Sequence, residues 1–169
     1  MSAIAEIPEL RQRVFARLDD GLPGRMVLIS ADPAMSHDAK LNELVKALGA
    51  LASNLINHEN MRCNLGGILG ICFGWSMSLG TSMPFDKIHD ERERQQRLFL
   101  DGFFSFTCVS PVVDPVRKLR ILSEEVGEVA NAIDELESGR QGQHHLKTEL
   151  IQVAAVAVAW LESLEPKQS

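Results

Sequence analysis

Tyrosine is absent from this 169-residue chain, and all aromatics together make up only 5% of it. The hydrophobic 45% is mainly aliphatic side chains and alanine. That balance favours helices packed on helices over a sheet sandwich. Cysteine is sparse: Cys63, Cys72 and Cys108 are an odd number with no C-x-x-C spacing. They read as reduced thiols of a cytoplasmic protein. Positive charge is in deficit, with a formal net charge of −6. Binding to a nucleic-acid polymer is therefore not expected, although an acidic protein can hold nucleotides when a metal ion bridges it to the phosphates. The first residues are acidic early and lack an apolar core followed by a small-residue cleavage site, so no secretory signal is expected.

What is present is a chain long enough for one domain, or a domain with an extension. Residues 8–18 place Leu10, Val14, Phe15 and Leu18 at helical spacing, with Arg11, Arg13 and Arg17 between them. Asp19-Asp20-Gly21-Leu22-Pro23-Gly24 stops that helix. Met26 to Ile29 is apolar but too short to separate a strand from an extended arm. Ala31-Asp32-Pro33 reads as a turn. From about Ala39 to His58 an amphipathic helix is predicted, capped by Ser36 or Asp38. Its stripe is Leu41, Leu44, Val45, Leu48, Leu51, Ala52, Leu55 and Ile56. His37, His58 and His89 stand alone and read as surface or capping residues.

Leu65 to Met83 carries no charge, and its length alone raises a membrane span. Against that stand five glycines, several Ser and Thr residues, and no basic flanking cluster. Gly66, Gly70, Gly74 and Ser78 recur every four residues, a stripe that would let another helix approach closely. A buried or oligomer-facing helix is the expectation, with no membrane contact; an irregular Gly-rich loop is the alternative. No Gly-Lys-Ser/Thr follows, so it is not a phosphate loop.

Asp86 to Leu100 reads as a charged helix with Ile88, Arg92, Gln95 and Phe99 on one side. The connection from Asp101 to Pro115 holds Phe103, Phe104, Phe106 and Val109, and that apolar content predicts that it lies against the body or a partner chain. Asp114 then Pro115 begins a helix to about Glu137, with Leu119, Leu122, Val126, Val129, Ala130 and Ile133 as its stripe. Ser138-Gly139-Arg140-Gln141-Gly142 stops it. His144 or His145 opens the last helix, which ends near Leu164. From Val153 to Leu161 this helix is apolar almost all round, so it needs cover on more than one side, from the N-terminal half or from a second subunit.

Two acidic pieces on these last helices carry the chemistry. In Ser123-Glu124-Glu125-Val126-Gly127-Glu128, Glu125 and Glu128 share a helix face; in Glu149-Leu150-Ile151-Gln152, Glu149 and Gln152 do the same. A short antiparallel return brings the two faces together. Three carboxylates and an amide in one place repel unless a cation sits among them, and such oxygen ligands suit Mg²⁺ or Mn²⁺. Gly127 costs about 1 kcal/mol in mid-helix relative to Ala, which predicts a close approach there.

Lys118-Leu119-x-x-Leu122-x-Glu124-Glu125-Val126-Gly127-Glu128-Val129-Ala130-x-Ala132-Ile133, followed by Glu149-Leu150-Ile151-Gln152-Val153-Ala154, resembles the MazG-like branch of the all-α nucleoside triphosphate pyrophosphohydrolases. Upstream, Glu91-Arg92-x-Arg94-Gln95 resembles the first helix of small MazG-like proteins. The resemblance covers residues 86–165 and leaves 1–85 as a helical, Gly-rich N-terminal extension of unassigned role. It implies an all-α bundle completed by oligomerisation, as a homodimer or homotetramer. It further implies Mg²⁺-dependent hydrolysis of a nucleoside triphosphate to the monophosphate and pyrophosphate. Glu125, Glu128, Glu149 and Gln152 would hold the ion, Glu124 would help orient the water, and Lys118 would contact substrate phosphate and aid catalysis. Gln152 stands where the family has Asp, and an amide oxygen brings no charge to the metal. The alternative is a helical nucleotide-binding or interaction protein that kept the scaffold with weak or no turnover. Phe103, Phe104 and Trp160 are candidates for base stacking, with core packing as the expected role of each.

Overall fold

Helix boundaries follow the local capping chemistry. A computed structural model describes residues 30–57, 61–80 and 85–165. The helix expected over 8–18 with its stop at 19–24, the apolar run 26–29 and His58 lie outside the described residues. The described part folds as α1 (His37–Ile56), α2 (Arg62–Ser78), α3 (Phe85–Leu100), α4 (Pro115–Glu137) and α5 (Gln143–Ser163), with no strand among the described residues. The all-α class is as expected.

Ser36, and not Asp38, caps α1: its hydroxyl accepts the Ala39 N–H at 3.2 Å, and the helix starts two residues before the expected Ala39. Asp114 caps α4 by accepting the Val116 N–H at 2.8 Å, and Pro115 takes the first turn, where its missing N–H costs nothing. At the far end of α4, Gly139 adopts φ +70°, and the Gly139 and Arg140 N–H groups return to Leu136 and Glu135 carbonyls. This five-residue turn, 138–142, folds α5 back along α4 as an antiparallel hairpin.

The apolar girdle of α5 is covered within the chain. Every residue from Val153 to Glu162 is buried, and α5 packs against α4, α2 and α3. α1 closes the bundle against α2 and α4. The charge-free stretch is therefore a helix for most of its length, with Leu65 to Ser76 buried throughout. Gly66, Gly70 and Gly74 lie in that buried span. Among the described residues no helix is long and apolar enough to cross a membrane. One continuous core joins Leu44 and Leu51 of α1, Leu65 and Trp75 of α2, Ile88 of α3, Val126 of α4 and Trp160 of α5. Burying each such side chain contributes about 1.5–3 kcal/mol.

Polar ties sit at both ends of this core. At one end, the buried Lys40 ammonium donates to Ser78 Oγ, and Trp75 Nε1 donates to His37 Nδ1 at 3.2 Å. His37 is thus the acceptor of a core tryptophan and not the isolated surface or capping residue that its surroundings in the sequence suggested. At the other end, Arg62 of α2 donates to Glu165 and to the Leu164 carbonyl. Between them, Arg92 Nη2 of α3 donates to Glu162 Oε2 of α5 at 2.9 Å, both side chains being buried.

The α3–α4 connection lies against the body only in part: Phe106 and Val109 are half-buried, whereas Phe103 is 75% and Phe104 44% exposed within the chain. Gly102, at φ +80°, turns the chain off α3, and the Phe103 and Phe104 N–H groups both close the helix end on Leu98 O. That fixes both rings beyond the end of the helix, away from the core. The anchors of the connection are Cys108, which is buried, and Phe106, whose ring lies 3.8 Å from the Arg117 guanidinium carbon. At Gly127 the expected close approach is not seen among the described residues, where a Cβ would meet nothing within 4 Å.

Candidate functional site

The α4–α5 hairpin places the two acidic pieces side by side. Glu149 is buried at 6% exposure, Glu125 is half-buried, and Glu124 and Glu128 are exposed along α4. Gln152, one turn on from Glu149, is half-buried. Glu125 is held well above the ordinary carboxylate range, at about 7. Burial is the main cause, followed by the negative charges of Glu149, Glu91 and Glu124, with Arg94 opposing. Glu149 is also raised by burial, with Glu128, Glu91 and Glu135 adding to the rise and His145 countering it. The structure thus puts Glu149 within electrostatic reach of both Glu125 and Glu128.

Glu91 joins them from α3, a residue that the sequence placed in a matching helix but not at the site. It faces both Glu125 and Glu149 closely enough to raise each. Arg94 grips it through Nε and Nη2, both at 2.7 Å, and Gln95 Nε2 donates to Glu91 Oε1 at 3.1 Å. Gln95 in turn accepts from Arg92 Nη1 at 3.3 Å. The signal was present in the spacing, since Arg94 and Gln95 at i+3 and i+4 share the helix face of Glu91.

Lys118 is placed elsewhere. It is buried at 2% exposure, and its Nζ donates to Ser163 Oγ at 2.6 Å near the end of α5. Burial lowers its pKa, with Cys108 as a nearby group. In this position its ammonium is engaged by Ser163. The stacking candidates divide: Trp160 is wholly buried, as core packing requires, whereas Phe103 and Phe104 are exposed, against that expectation.

Among the described residues no three His, Cys, Asp or Glu side chains converge as a formed metal-ligand set. By donor type alone, the carboxylate oxygens of Glu125, Glu128 and Glu149 are of the kind that a hard divalent cation takes. Comparison of the chain with protein-family models, curated proteins and solved structures found no match in any of the three.

Proposed function

We propose that the chain is a Mg²⁺-dependent nucleoside triphosphate pyrophosphohydrolase, active as a homo-oligomer, whose site lies between α3 and the α4–α5 hairpin. The observation that carries this reading is Glu125, lifted to about 7 by burial beside Glu149 and Glu91. A carboxylate held protonated by burial and neighbouring negative charge ionises when a divalent cation binds it. The E-x-x-E and E-x-x-Q spacing, with its resemblance to the MazG-like enzymes, adds the reaction class.

Glu125, Glu149 and Glu128 would hold the ion, with the Gln152 amide oxygen as a neutral donor. Glu91 supplies the negative charge that Gln152 does not. When bound, Mg²⁺ neutralises charge developing on the phosphates and polarises the attacking water. Glu124, exposed next to Glu125, would help orient the attacking water and accept its proton. Arg94 holds Glu91 aligned through its two hydrogen bonds.

The test is release of pyrophosphate from a panel of normal and modified nucleoside triphosphates with Mg²⁺ or Mn²⁺. Wild-type protein releases it, and Glu125→Gln and Glu149→Gln do not. Equal release by both variants would refute the assignment. A second reading, nucleotide binding without turnover, is favoured by the engagement of Lys118 with Ser163. Stabilisation by Mg²⁺ with a non-hydrolysable triphosphate, and no pyrophosphate release from any substrate, would select it.

A further inference from the structure

Two buried lysines are tied in the same way at opposite ends of the core. Lys40, in the first turn of α1, donates to Ser78 Oγ at the end of α2, and Ser78 Oγ donates in turn to the Trp75 carbonyl at 2.7 Å. Lys118, in the first turn of α4, donates to Ser163 Oγ at the end of α5, and Ser163 Oγ donates to the Trp160 carbonyl at 2.6 Å. Both lysines and both tryptophans are buried. Lysine is almost never fully buried, so the same tie made twice in one chain calls for a common cause.

A step of 78 residues, from Lys40 to Lys118, reproduces the surroundings as well. The helix caps Ser36 and Asp114 fall together. So do the turns before them, closed by Met35 N–H on Asp32 O at 3.2 Å and by Val113 N–H on Ser110 O at 3.4 Å. Leu44 and Leu51 fall on Leu122 and Val129, all fully buried. In the second helix of each pair the step is 85 residues, from Trp75 to Trp160. Five residues separate the helices in both pairs, while α4 has 23 residues to the 20 of α1, and α5 has 21 to the 17 of α2, which accounts for the larger step.

The packing has the matching symmetry. α2 lies on α5 and α1 on α4, each on its own counterpart. Both pairs run antiparallel. Arg62 at the start of α2 donates to the carbonyl of Leu164, just past the end of α5, and Glu137 at the end of α4 acts on His37 at the start of α1. Elements that meet their own counterparts reversed are what a two-fold axis produces.

We infer that α1–α2 and α4–α5 are two copies of one hairpin related by an approximate two-fold axis, the first copy standing where a second subunit would and covering the apolar girdle of α5. The first copy holds Ala47, Ala50, Asn64 and Gly67 where the second holds Glu125, Glu128, Glu149 and Gln152. The hairpin therefore folds without the acidic residues. The lysine tie, by contrast, is common to both copies and belongs to the scaffold. This inference requires no ion or nucleotide and stands apart from the proposed function.

The test is a pair of distances between nitroxide labels on the full-length protein, measured by pulsed electron paramagnetic resonance. Cys63 is exposed and takes a label, whereas Cys72 and Cys108 are buried. One protein carries labels at Cys63 and at Ser123→Cys. The other, with Cys63→Ser, carries them at Val45→Cys and Thr148→Cys. The two-fold exchanges these pairs, so the two distances should agree to within about 5 Å, one helical pitch. A larger difference would overturn the inference, since unrelated hairpins have no reason to give equal values. As a second measurement, Lys40→Met and Lys118→Met should shift the melting temperature in the same direction. Opposite shifts would show that the two ties are not equivalent and would overturn it too.

Discussion

Trp75 and His37 meet nearly coplanar, with ring centroids 5.9 Å apart and planes 20° from parallel, and the indole N–H donates to Nδ1. The bond requires a neutral imidazole. Burial, then Lys40, lower the His37 pKa, while Glu137 and Asp38 oppose them. A group with a lowered folded pKa that must stay unprotonated stabilises the fold above its unfolded pKa, and that stabilisation is lost as pH falls. His37→Ala should therefore cost about 1–3 kcal/mol at pH 8, the penalty of an unpaired buried N–H. The gap to wild type should close below about pH 6.5, the ordinary histidine value. Melting curves of the two proteins across pH 5–8 check this, and a pH-independent gap would contradict it.

Glu125 works in the opposite direction. Its folded pKa of about 7 lies above the ordinary value of 4.5, so the folded state takes up a proton that the unfolded state releases. In the absence of divalent ions this group's contribution favours folding below the unfolded pKa and falls away as pH rises through about 7. Glu125→Gln should raise the melting temperature of metal-free protein at pH 8 and flatten its dependence on pH. The same variant is expected to release no pyrophosphate, so stability and activity move in opposite directions. A lower melting temperature at pH 8 would contradict this account.

Gly127 sits exposed in mid-α4 with open space where a Cβ would go. Gly127→Ala should therefore stabilise the protein by about 1 kcal/mol, the difference in helix propensity. Denaturant titration measures it, and destabilisation would show that the site needs the bare backbone. Nothing in the structure explains the glycine.

Lys118 spends its ammonium on Ser163 in a buried setting. Lys118→Met keeps the volume, removes a buried charge and leaves Ser163 Oγ donating to the Trp160 carbonyl at 2.6 Å. The variant should melt no lower than wild type and keep at least half of its pyrophosphate release. A loss of 10-fold or more would restore the phosphate-contact role that the motif implied.

The hairpin was legible in the sequence because its signals are local. Asp114-Pro115 and the Gly139 turn define α4 by hydrogen bonds within a few residues, and the three-residue spacing of Glu125 and Glu128 sets their shared face. Glu91 was less legible as a site residue. Its place depends on how α3 docks on α5, which rests on Arg92 and Glu162, 70 residues apart. The connection was legible only in part, because apolar content does not say which side chains are buried: folded proteins expose much apolar surface. Phe103 and Phe104 are committed by their own N–H groups to closing α3.

Glu162, Arg92, Gln95 and Glu91 form one continuous chain of hydrogen bonds from the interior of α5 to the edge of the acidic cluster. α3 has its main seat on α5, so the guanidinium that moors it also governs how far Glu91 stands from the hairpin carboxylates. The place of Glu91 beside those carboxylates is thereby set from the dry side of the helix. Severing Arg92 from Glu162 would free α3 to shift and carry Glu91 with it, without altering a single carboxylate of the cluster.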